Sequence, residues 1–237
     1  MATALVILSI AKYPRFMGWA GFLSMAIFRI PFWLHRQLSF WKLMGCGKNG
    51  TFDKQPDFNQ WALMLAVTDY QQWQRTRTAR FMAAYWRLFG AEVTTYQLQP
   101  IEGHGLWDGK QVFGQLPKTS DYEGPIAVLT RATIRLSQLG RFWEHVPKVA
   151  QHMQHAEGFI TSVGIGEVPW IKQATFSVWT SKAAMKNFAY KMADHADVVR
   201  KTHQEKWYSE DMFVRFKIIN VTGSNLQAFN AMTILQS

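Results

Sequence analysis

One histidine in the second half of the chain has the surroundings expected of a metal ligand. Phe188, Met192, His195 and Val199 are spaced by four, three and four residues, which predicts that they share one face of a helix. An imidazole on an apolar helix face needs a partner for each ring nitrogen. Two interpretations follow: a core histidine that bonds a backbone carbonyl, or the axial ligand of a haem iron in an apolar cavity. In the second case the nearby Arg200 could meet a haem propionate.

A second group of histidines has the spacing of a metal site but lacks further ligands. His145, His152 and His155 are separated by seven and three residues. They lie off the apolar stripe of their predicted helix, and no carboxylate pattern accompanies them. We therefore expect these side chains to lie at the surface rather than to bind a divalent metal.

The residue types give little support to other kinds of site. Cys46 is the only cysteine, which excludes an intrachain disulfide and a metal site built from the cysteines of one chain. A C-x-x-C-H motif is absent, so a bound haem would be a non-covalent haem b. The chain also lacks a G-x-S-x-G elbow, and its G-x-G-x-x-G at Gly45–Gly50 opens no clear helix. Hydrolase and dinucleotide sites are therefore not expected.

Each half of the chain predicts the same order of elements: strand, helix, two strands, helix and strand. The predicted strands lie at 4–11, 40–50, 61–67, 93–98, 126–134, 159–163, 174–179 and 213–221. The predicted helices lie at 15–36, between Asp69 and Phe89, at 140–155 and from Ser181 onward. In both halves the second strand ends in a predicted G-x-G turn, Gly45-Cys46-Gly47 and Gly164-Ile165-Gly166.

This order is that of the ferredoxin-like unit, β-α-β-β-α-β. One unit leaves a sheet face that its helices do not cover, and two units can bury these faces against each other as a barrel. We therefore predict an α+β fold made of two fused ferredoxin-like repeats. The first would span residues 1–116, with an aromatic N-terminal helix and a glycine-rich loop at 103–114. The second would span 124–221, followed by a tail at 222–237.

The aromatic stretch 15–36 allows two interpretations. It carries arginines at both ends, among them Arg15 and Arg36. As an interfacial helix it would place aromatic side chains in lipid and arginines near head groups. A buried core helix is favoured, because apolar residues go round much of the helix and leave no clear polar face. The uncharged run Phe16–Phe28 is too short to span a bilayer, which needs about 20 residues.

The net charge of +10, from 26 Lys and Arg against 16 Asp and Glu, favours an anionic partner. Nucleic acid is not expected, because the basic residues are scattered rather than clustered on one element. The apolar run at the N-terminus does not resemble a signal peptide, since Lys12 and Arg15 follow it instead of preceding it. Together with the single cysteine, this indicates a cytoplasmic protein.

Several segments resemble the spheroidene monooxygenase family. In the second half they are Gly124–Arg135 (GPIAVLTRATIR), Phe142–Pro147 (FWEHVP), Gly164–Trp179 (GIGEVPWIKQATFSVW), Phe188–Tyr190 (FAY), His195 and Glu205–Phe216 (EKWYSEDMFVRF). In the first half they are Phe40–Phe52 (FWKLMGCGKNGTF) and the loop with Gly105, Trp107 and Gly109. The run of matched segments covers most of the chain and is more specific than any single motif.

The resemblance implies a haem-dependent oxygenase that introduces a keto group into an acyclic carotenoid, on a fold of the dimeric α/β-barrel type. His195 matches the axial histidine that haem proteins of this fold take from a helix of the second repeat. Arg200 and Arg131 are then candidates for contacts to the haem propionates or for polarity on the distal side. The expected partners are a small apolar substrate, an external electron donor, a second chain in a homodimer and, through residues 15–36, the inner face of a membrane.

Three other functions remain open on the same residues. One is a cofactor-free oxygenase of the same barrel type. Another is a haem-dependent enzyme that resembles aldoxime dehydratase. A third is a non-catalytic protein that carries haem or lipid. The substrate and the electron donor do not follow from the sequence.

Overall fold

The computed structural model describes residues 5–35, 38–48, 55–191 and 207–224. Within these residues the strands are β1 (Leu5–Lys12), β2 (Phe40–Gly47), β3 (Pro56–Val67), β4 (Glu92–Gly105), β5 (Ile126–Ile134), β6 (Phe159–Val168), β7 (Lys172–Trp179) and β8 (Tyr208–Thr222). The α-helices are α1 (Gly18–Ile27), α2 (Arg29–Leu34), α3 (Tyr70–Gln74), α4 (Arg77–Leu88), α5 (Leu139–Gln154) and α6 (Lys182–Lys191).

The strands form one antiparallel sheet that closes into a barrel in the order β1-β3-β2-β6-β7-β5-β8-β4. β1 to β4 and β5 to β8 follow the same pattern, in which the first strand lies between the third and the fourth. The two groups meet where β2 pairs with β6 and where β4 pairs with β8. The fold is thus a mixed α/β fold on a closed eight-stranded barrel, which confirms the barrel predicted from the sequence.

The inside of the barrel is filled by apolar side chains, because neighbouring residues of a strand point to opposite faces of the sheet. In β1, Val6 and Leu8 belong to the inner cluster, whereas Ile7 packs among the helices outside. In β5, Ala127 and Leu129 point inward in the same way. An eight-stranded barrel is narrow enough for side chains to fill it. Its interior therefore serves as the main core of the protein.

Both G-x-G segments lie within strands, so the turns predicted there are wrong. Gly45 pairs with Gly166 and Cys46 with Ile165, where β2 meets β6. The register of β2 against β3 shifts between Gly45 and Cys46, and glycine adapts readily to such an irregularity. The two motifs therefore mark a seam between the halves of the barrel rather than ligand-binding loops.

Two predicted helix starts are confirmed by their capping hydrogen bonds. The Asp69 carboxylate accepts a hydrogen bond from the Gln72 amide at the start of α3, and the Ser181 hydroxyl accepts one from the Ala184 amide in α6. The single helix predicted to follow Asp69 is two helices, because Thr76 caps the start of α4 after the turn that ends α3.

The strand predicted at 93–98 from alternating residues is longer in the structure. β4 continues to Gly105 because it pairs first with β1 and then with β8. It therefore takes in the beginning of the glycine-rich loop predicted at 103–114. By contrast, β5 has the predicted bounds, 126–134.

In the first half, α1, α2 and α4 cover the outer face of the sheet. The ring of Phe28 meets that of Tyr85 edge to face at 5.1 Å, and Phe32 stacks on Trp41 at 5.1 Å. The Tyr85 hydroxyl donates a hydrogen bond to the Ala20 carbonyl at 2.8 Å, which ties α4 to α1. These contacts make a continuous apolar layer between the helices and the strands.

The interpretation of 15–36 as a core helix is wrong for most of its large side chains. The outer face of α1 and α2 carries exposed apolar residues, with Trp33 83% exposed. The inner face of α1 buries only small side chains against β3; they are Ala20, Gly21 and Ser24.

Candidate functional site

A cleft lies between the end of α5 and the start of α6, outside the barrel in the second half. Its volume is about 820 Å³, and ligand sites typically span about 300–1,000 Å³. Its walls include His152, His155, Gly158, Ser181, Asn187 and Phe188. Because α6 ends at Lys191, the segment that carries His195 begins directly after one wall of the cleft.

The middle of the same sheet face is not covered by the described helices. Thr130 is exposed in the centre of β5, although β5 lies between β7 and β8. Its neighbour across the sheet, Thr175, is buried, and the Thr175 hydroxyl has no hydrogen-bond partner in the described part of the chain. An apolar cluster on this face includes Val128, Trp179 and Phe213. Such a surface fits a flat, largely apolar ligand.

A network of charged residues fills one end of the barrel. Arg131, with 1% of its surface exposed, continues the inward-facing series of β5 two residues beyond Leu129. Its guanidinium forms ion pairs with Glu210 at 2.5 Å, Asp108 at 3.3 Å and Glu167 at 3.4 Å. These three carboxylates belong to β8, to the loop after β4 and to β6, so the arginine joins both halves of the barrel.

Two lysines complete this network, which we call the barrel clamp. Lys42 of β2 pairs with Asp108 and, at 2.6 Å, with Glu167, and Lys172 of β7 pairs with Asp108 at 2.6 Å. Burial opposes ionisation of Asp108, but hydrogen bonds and charge from Lys172 and Lys42 outweigh it and lower the pKa of Asp108 to about 2. Three cations, the two lysines and Arg131, therefore balance three carboxylates.

The barrel clamp also holds the loop after β4 across the end of the barrel. The Glu210 carboxylate accepts hydrogen bonds from the amides of Asp108 and Gly109 at 2.9 and 2.7 Å. Burial raises the pKa of Glu210, but these amides and the Arg131 guanidinium outweigh it and lower the pKa overall. The guanidinium lies 4.8 Å from the centre of the buried Trp107 ring, a cation–π contact that closes the barrel at this end.

A second buried ion pair anchors the connection between the halves. Glu102 of β4 pairs with Arg215 of β8 and lies 3.6 Å from Lys182 at the start of α6. The Ser120 amide donates a hydrogen bond to Glu102 at 2.7 Å, and Lys182 donates one to the Ser120 carbonyl. The segment that leads from β4 to β5 is therefore held against the barrel at the start of α6.

The predicted cofactor residues fall in different places. His195 and Arg200 lie outside the described residues. Arg131 points into the barrel, whereas the cleft lies outside it. The predicted contact between Arg131 and a haem propionate is not favoured by this placement, because three carboxylates already surround the guanidinium.

The other predicted histidines lie at the edge of the cleft. His152 and His155 line it, and His155 Nδ1 is 2.9 Å from the Gln151 carbonyl oxygen. His145 belongs to α5, and its side chain lies outside the described part of the structure. Across the described ranges, the structure has no group of three or more His, Cys, Asp or Glu side chains that could hold a metal ion.

The residue patterns did not predict the barrel clamp as a unit. A signal for it was available within single strands, since Arg131 follows the inward series of Ala127 and Leu129, and Lys42 lies between Phe40 and Met44. A charge at an inward position of a barrel strand needs a partner inside the barrel. The partners themselves come from distant parts of the chain, which no local pattern links.

Sequence comparison with curated proteins gives three spheroidene monooxygenases. That of Rhodobacter capsulatus is 32% identical over 204 residues, which cover 85% of this chain and 84% of that protein. The chain belongs to the spheroidene monooxygenase family. The family member from Rubrivivax gelatinosus is 32% identical over 78% of this chain and 70% of its own length. The one from Cereibacter sphaeroides is 31% identical over 78% of this chain, and the alignment spans 57% of that relative's length. No family model matches the chain.

Solved structures of low sequence identity share the fold of this chain. Aldoxime dehydratase in complex with butyraldoxime has a TM-score of 0.60 and 11% identity, over 92% of this chain and 81% of that one. A second aldoxime dehydratase structure has a TM-score of 0.58 and 8% identity, over 95% and 83%. At such identities the likeness concerns the fold alone.

Proposed function

We propose that this chain is a haem-dependent monooxygenase that converts a methylene group of a long, carotenoid-like substrate into a ketone. The observation that carries the proposal is the 32% identity to the spheroidene monooxygenase of Rhodobacter capsulatus over 84% of that protein. Membership of this family supports the assignment of the chain as an oxidoreductase of the monooxygenase class in carotenoid metabolism. The haem and the ketone are the finer parts of the proposal.

The outer face of the second half has features that fit a haem. A haem is flat and mostly apolar, and the face offers an apolar cluster beside the uncovered Thr130. The buried Thr175 hydroxyl lacks a partner among the described residues, and buried polar groups normally have one. His195, which comes after α6 in the sequence, would hold the haem iron. Arg200 would meet a propionate, whereas Arg131 belongs to the barrel clamp.

When bound, the haem would supply the activation of oxygen, with electrons from an external donor. The residues of the chain would provide a dry and oriented site. The half-buried Phe188 at the edge of the cleft would present its ring to the polyene and exclude water, supported by the buried Trp179, whose ring centre lies 5.2 Å away. The filled interior and the barrel clamp leave the outer face as the side from which a long substrate would enter.

The proposed conversion balances over two oxygenations. In the first, a methylene group, one oxygen molecule, two electrons and two protons give a secondary alcohol and water. In the second, the alcohol, another oxygen molecule, two electrons and two protons give a geminal diol and water. The diol then loses water to become the ketone. The external donor therefore supplies four electrons for each ketone formed.

The finer description of the fold is also a proposal. We infer that the two halves are fused ferredoxin-like repeats in the arrangement of a dimeric α/β barrel. Both halves have the order β-α-β-β-α-β along the chain and the same neighbours within the sheet, which supports this origin.

The absorption spectrum of the purified protein, reconstituted with haem, tests the cofactor. We expect a Soret band in the wild type that is lost or shifted in His195→Ala. The matched control is His155→Ala, which removes a histidine at the edge of the cleft and should keep the band. A colourless wild type after reconstitution would contradict the haem proposal and favour the cofactor-free oxygenase.

The activity needs a second assay with the haem-loaded protein. Incubation with an acyclic carotenoid, oxygen and a chemical reductant should give a product with the mass and infrared band of a ketone. Haem binding without any oxygenated product would favour a haem carrier. Conversion of an aldoxime to a nitrile without oxygen would favour an enzyme that resembles aldoxime dehydratase.

A further inference from the structure

The outer surface of the first two helices carries large apolar side chains that take no part in the core. We define the aromatic face as the exposed apolar residues of the stretch that runs from the 3-10 turn Arg15–Met17 to the end of α2: Phe16, Trp19, Phe22, Leu23, Ile30, Trp33 and Leu34. Their spacing of three and four residues places them on one side of the helices. A water-exposed helix face normally carries polar residues instead.

The inner side of α1 shows why these residues point outward. Its buried residues are small, and α1 lies directly on β3. A Cβ atom at Gly21 would lie 2.5 Å from Trp61 Cδ1, so only glycine permits this approach. The amphipathic pattern of the helix is therefore inverted, with small residues inside and aromatic residues outside.

Neighbouring elements extend the aromatic face. Phe58 of β3 and Phe81 of α4 are exposed apolar residues near it, and the ring of Phe81 meets that of Phe28 at 6.2 Å. The ring of Phe22 in α1 meets that of Trp61 at 6.0 Å, which links α1 to the region of Phe58. Exposed apolar residues therefore occur both on the first two helices and on elements that contact them, and groups of such residues mark interaction sites.

Every charged residue of the helices α1, α2 and α4 is an arginine. No aspartate or glutamate occurs before Asp53, and none lies between Asp69 and Glu92. The exposed arginines of these two stretches, within the described residues, are Arg15, Arg29, Arg75, Arg77, Arg80 and Arg87. An apolar surface with a basic border fits a partner that has an apolar interior and an anionic surface.

We propose that the aromatic face lies in the surface of a bilayer that contains anionic phospholipids, with the arginines at the head groups. Interfacial helices of this composition bind membranes by inserting aromatic and aliphatic side chains to the level of the acyl boundary. A second copy of the chain fits less well, because two such surfaces would bring like charges together.

The helices lie on the membrane rather than cross it. Arg15–Leu34 is 20 residues long with a mean hydropathy of 1.3, which by length and composition alone would suffice for a span. However, Phe28 and Phe32 pack in the layer between the helices and the sheet. A crossing helix would have to leave this layer and expose the outer residues of β3, such as Leu65. The proposal concerns location and does not depend on the reaction.

Flotation of the full chain with vesicles tests the proposal. We expect the wild type to float with vesicles of phosphatidylcholine and phosphatidylglycerol at low salt, and less with phosphatidylcholine alone. Phe22→Ser/Trp33→Ser should weaken binding by roughly tenfold or more, because both side chains would leave the lipid. Arg15→Gln/Arg29→Gln should weaken binding to the anionic vesicles alone and reduce its dependence on salt.

The matched control is Leu136→Ser/Tyr190→Ser. These residues are 71% and 80% exposed in the second half, against 62% and 83% for Phe22 and Trp33. The control should bind vesicles like the wild type, and circular dichroism should show that all variants are folded. A wild type that stays in solution with every vesicle would overturn the proposal. A dimer that Phe22→Ser/Trp33→Ser converts to a monomer, without vesicle binding by the wild type, would assign the face to a second copy.

Discussion

The two halves of the barrel have the same strand order but differ in how closely helices cover them. In α1, a Cβ at Gly21 would clash with Trp61, because the helix lies directly on β3. The apolar layer of the first half is continuous, whereas the described residues of the second half form two separate clusters. Among the described residues, helices therefore cover the first half more completely than the second.

This difference shows how one architecture can divide two tasks. Close packing of α1 requires small residues on its inner side, which leaves its aromatic residues outside for a membrane surface. In the second half, the described residues leave Thr130 exposed and a cleft between α5 and α6 whose volume suits a ligand. The proposed membrane contact and the proposed haem site thus lie on different halves.

The largest effect is expected for the barrel clamp, to which both halves contribute. Arg131→Met would leave Glu210 and Glu167 with fewer cations, and we expect a loss of about 3 kcal/mol in the free energy of unfolding. Urea unfolding, followed by fluorescence and circular dichroism, measures this loss. Both signals should change in one transition, because the clamp holds the two halves together.

The control for the clamp is Arg77→Met, which removes an exposed arginine of α4. It should change the free energy of unfolding by less than about 0.5 kcal/mol. If Arg131→Met has an effect as small as this, the clamp does not stabilise the barrel. Two separate transitions would show that the halves unfold independently.

A pair of glycine substitutions compares the inner side of α1, which lies directly on β3, with the exposed start of α5. Gly21→Ala should destabilise the protein by about 2 kcal/mol, because the new methyl group pushes α1 away from Trp61. Gly140→Ala should instead stabilise it by about 0.5 kcal/mol, since alanine favours the helix and has room. Thermal unfolding of both variants measures the two effects. A gain in stability for Gly21→Ala like that for Gly140→Ala would show that α1 does not need its close approach to Trp61.

The smallest effects are expected from two hydroxyl residues on the outer face of β7. Ser177→Ala should cost about 1–2 kcal/mol, because the buried Trp179 indole donates to the Ser177 hydroxyl at 2.9 Å. Thr175→Val should change the stability of the haem-free protein by less than about 0.5 kcal/mol, since the Thr175 hydroxyl has no partner in the described residues. A large loss for Thr175→Val would show that this hydroxyl belongs to the core and is not available to a ligand.

Local patterns in the sequence predicted much of the fold. Alternating and continuous apolar runs located the strands, and Asp69 and Ser181 marked the starts of two helices. The pairing of Gly45 with Gly166 could not be predicted in this way, because residues far apart in the chain form it and no local pattern encodes it. Both G-x-G segments therefore looked like turns.

The candidate site was predicted in part. The resemblance to the spheroidene monooxygenase family assigned the protein correctly to its family. Arg131 was a candidate for a cofactor contact under that resemblance, but its ion pairs could not be predicted, because a lone arginine in a strand carries no information about its partners. Three carboxylates from separate elements meet it only after the barrel closes.

The sequence by itself determined the order of the elements, the caps of two helices and the lack of acidic residues before Asp53. These properties depend on residue type and short spacing alone. The tertiary structure decided which side of α1 faces water and which charges share the end of the barrel. Both depend on how closely distant segments approach each other, as Gly21 on β3 and Arg131 beside Glu210 show.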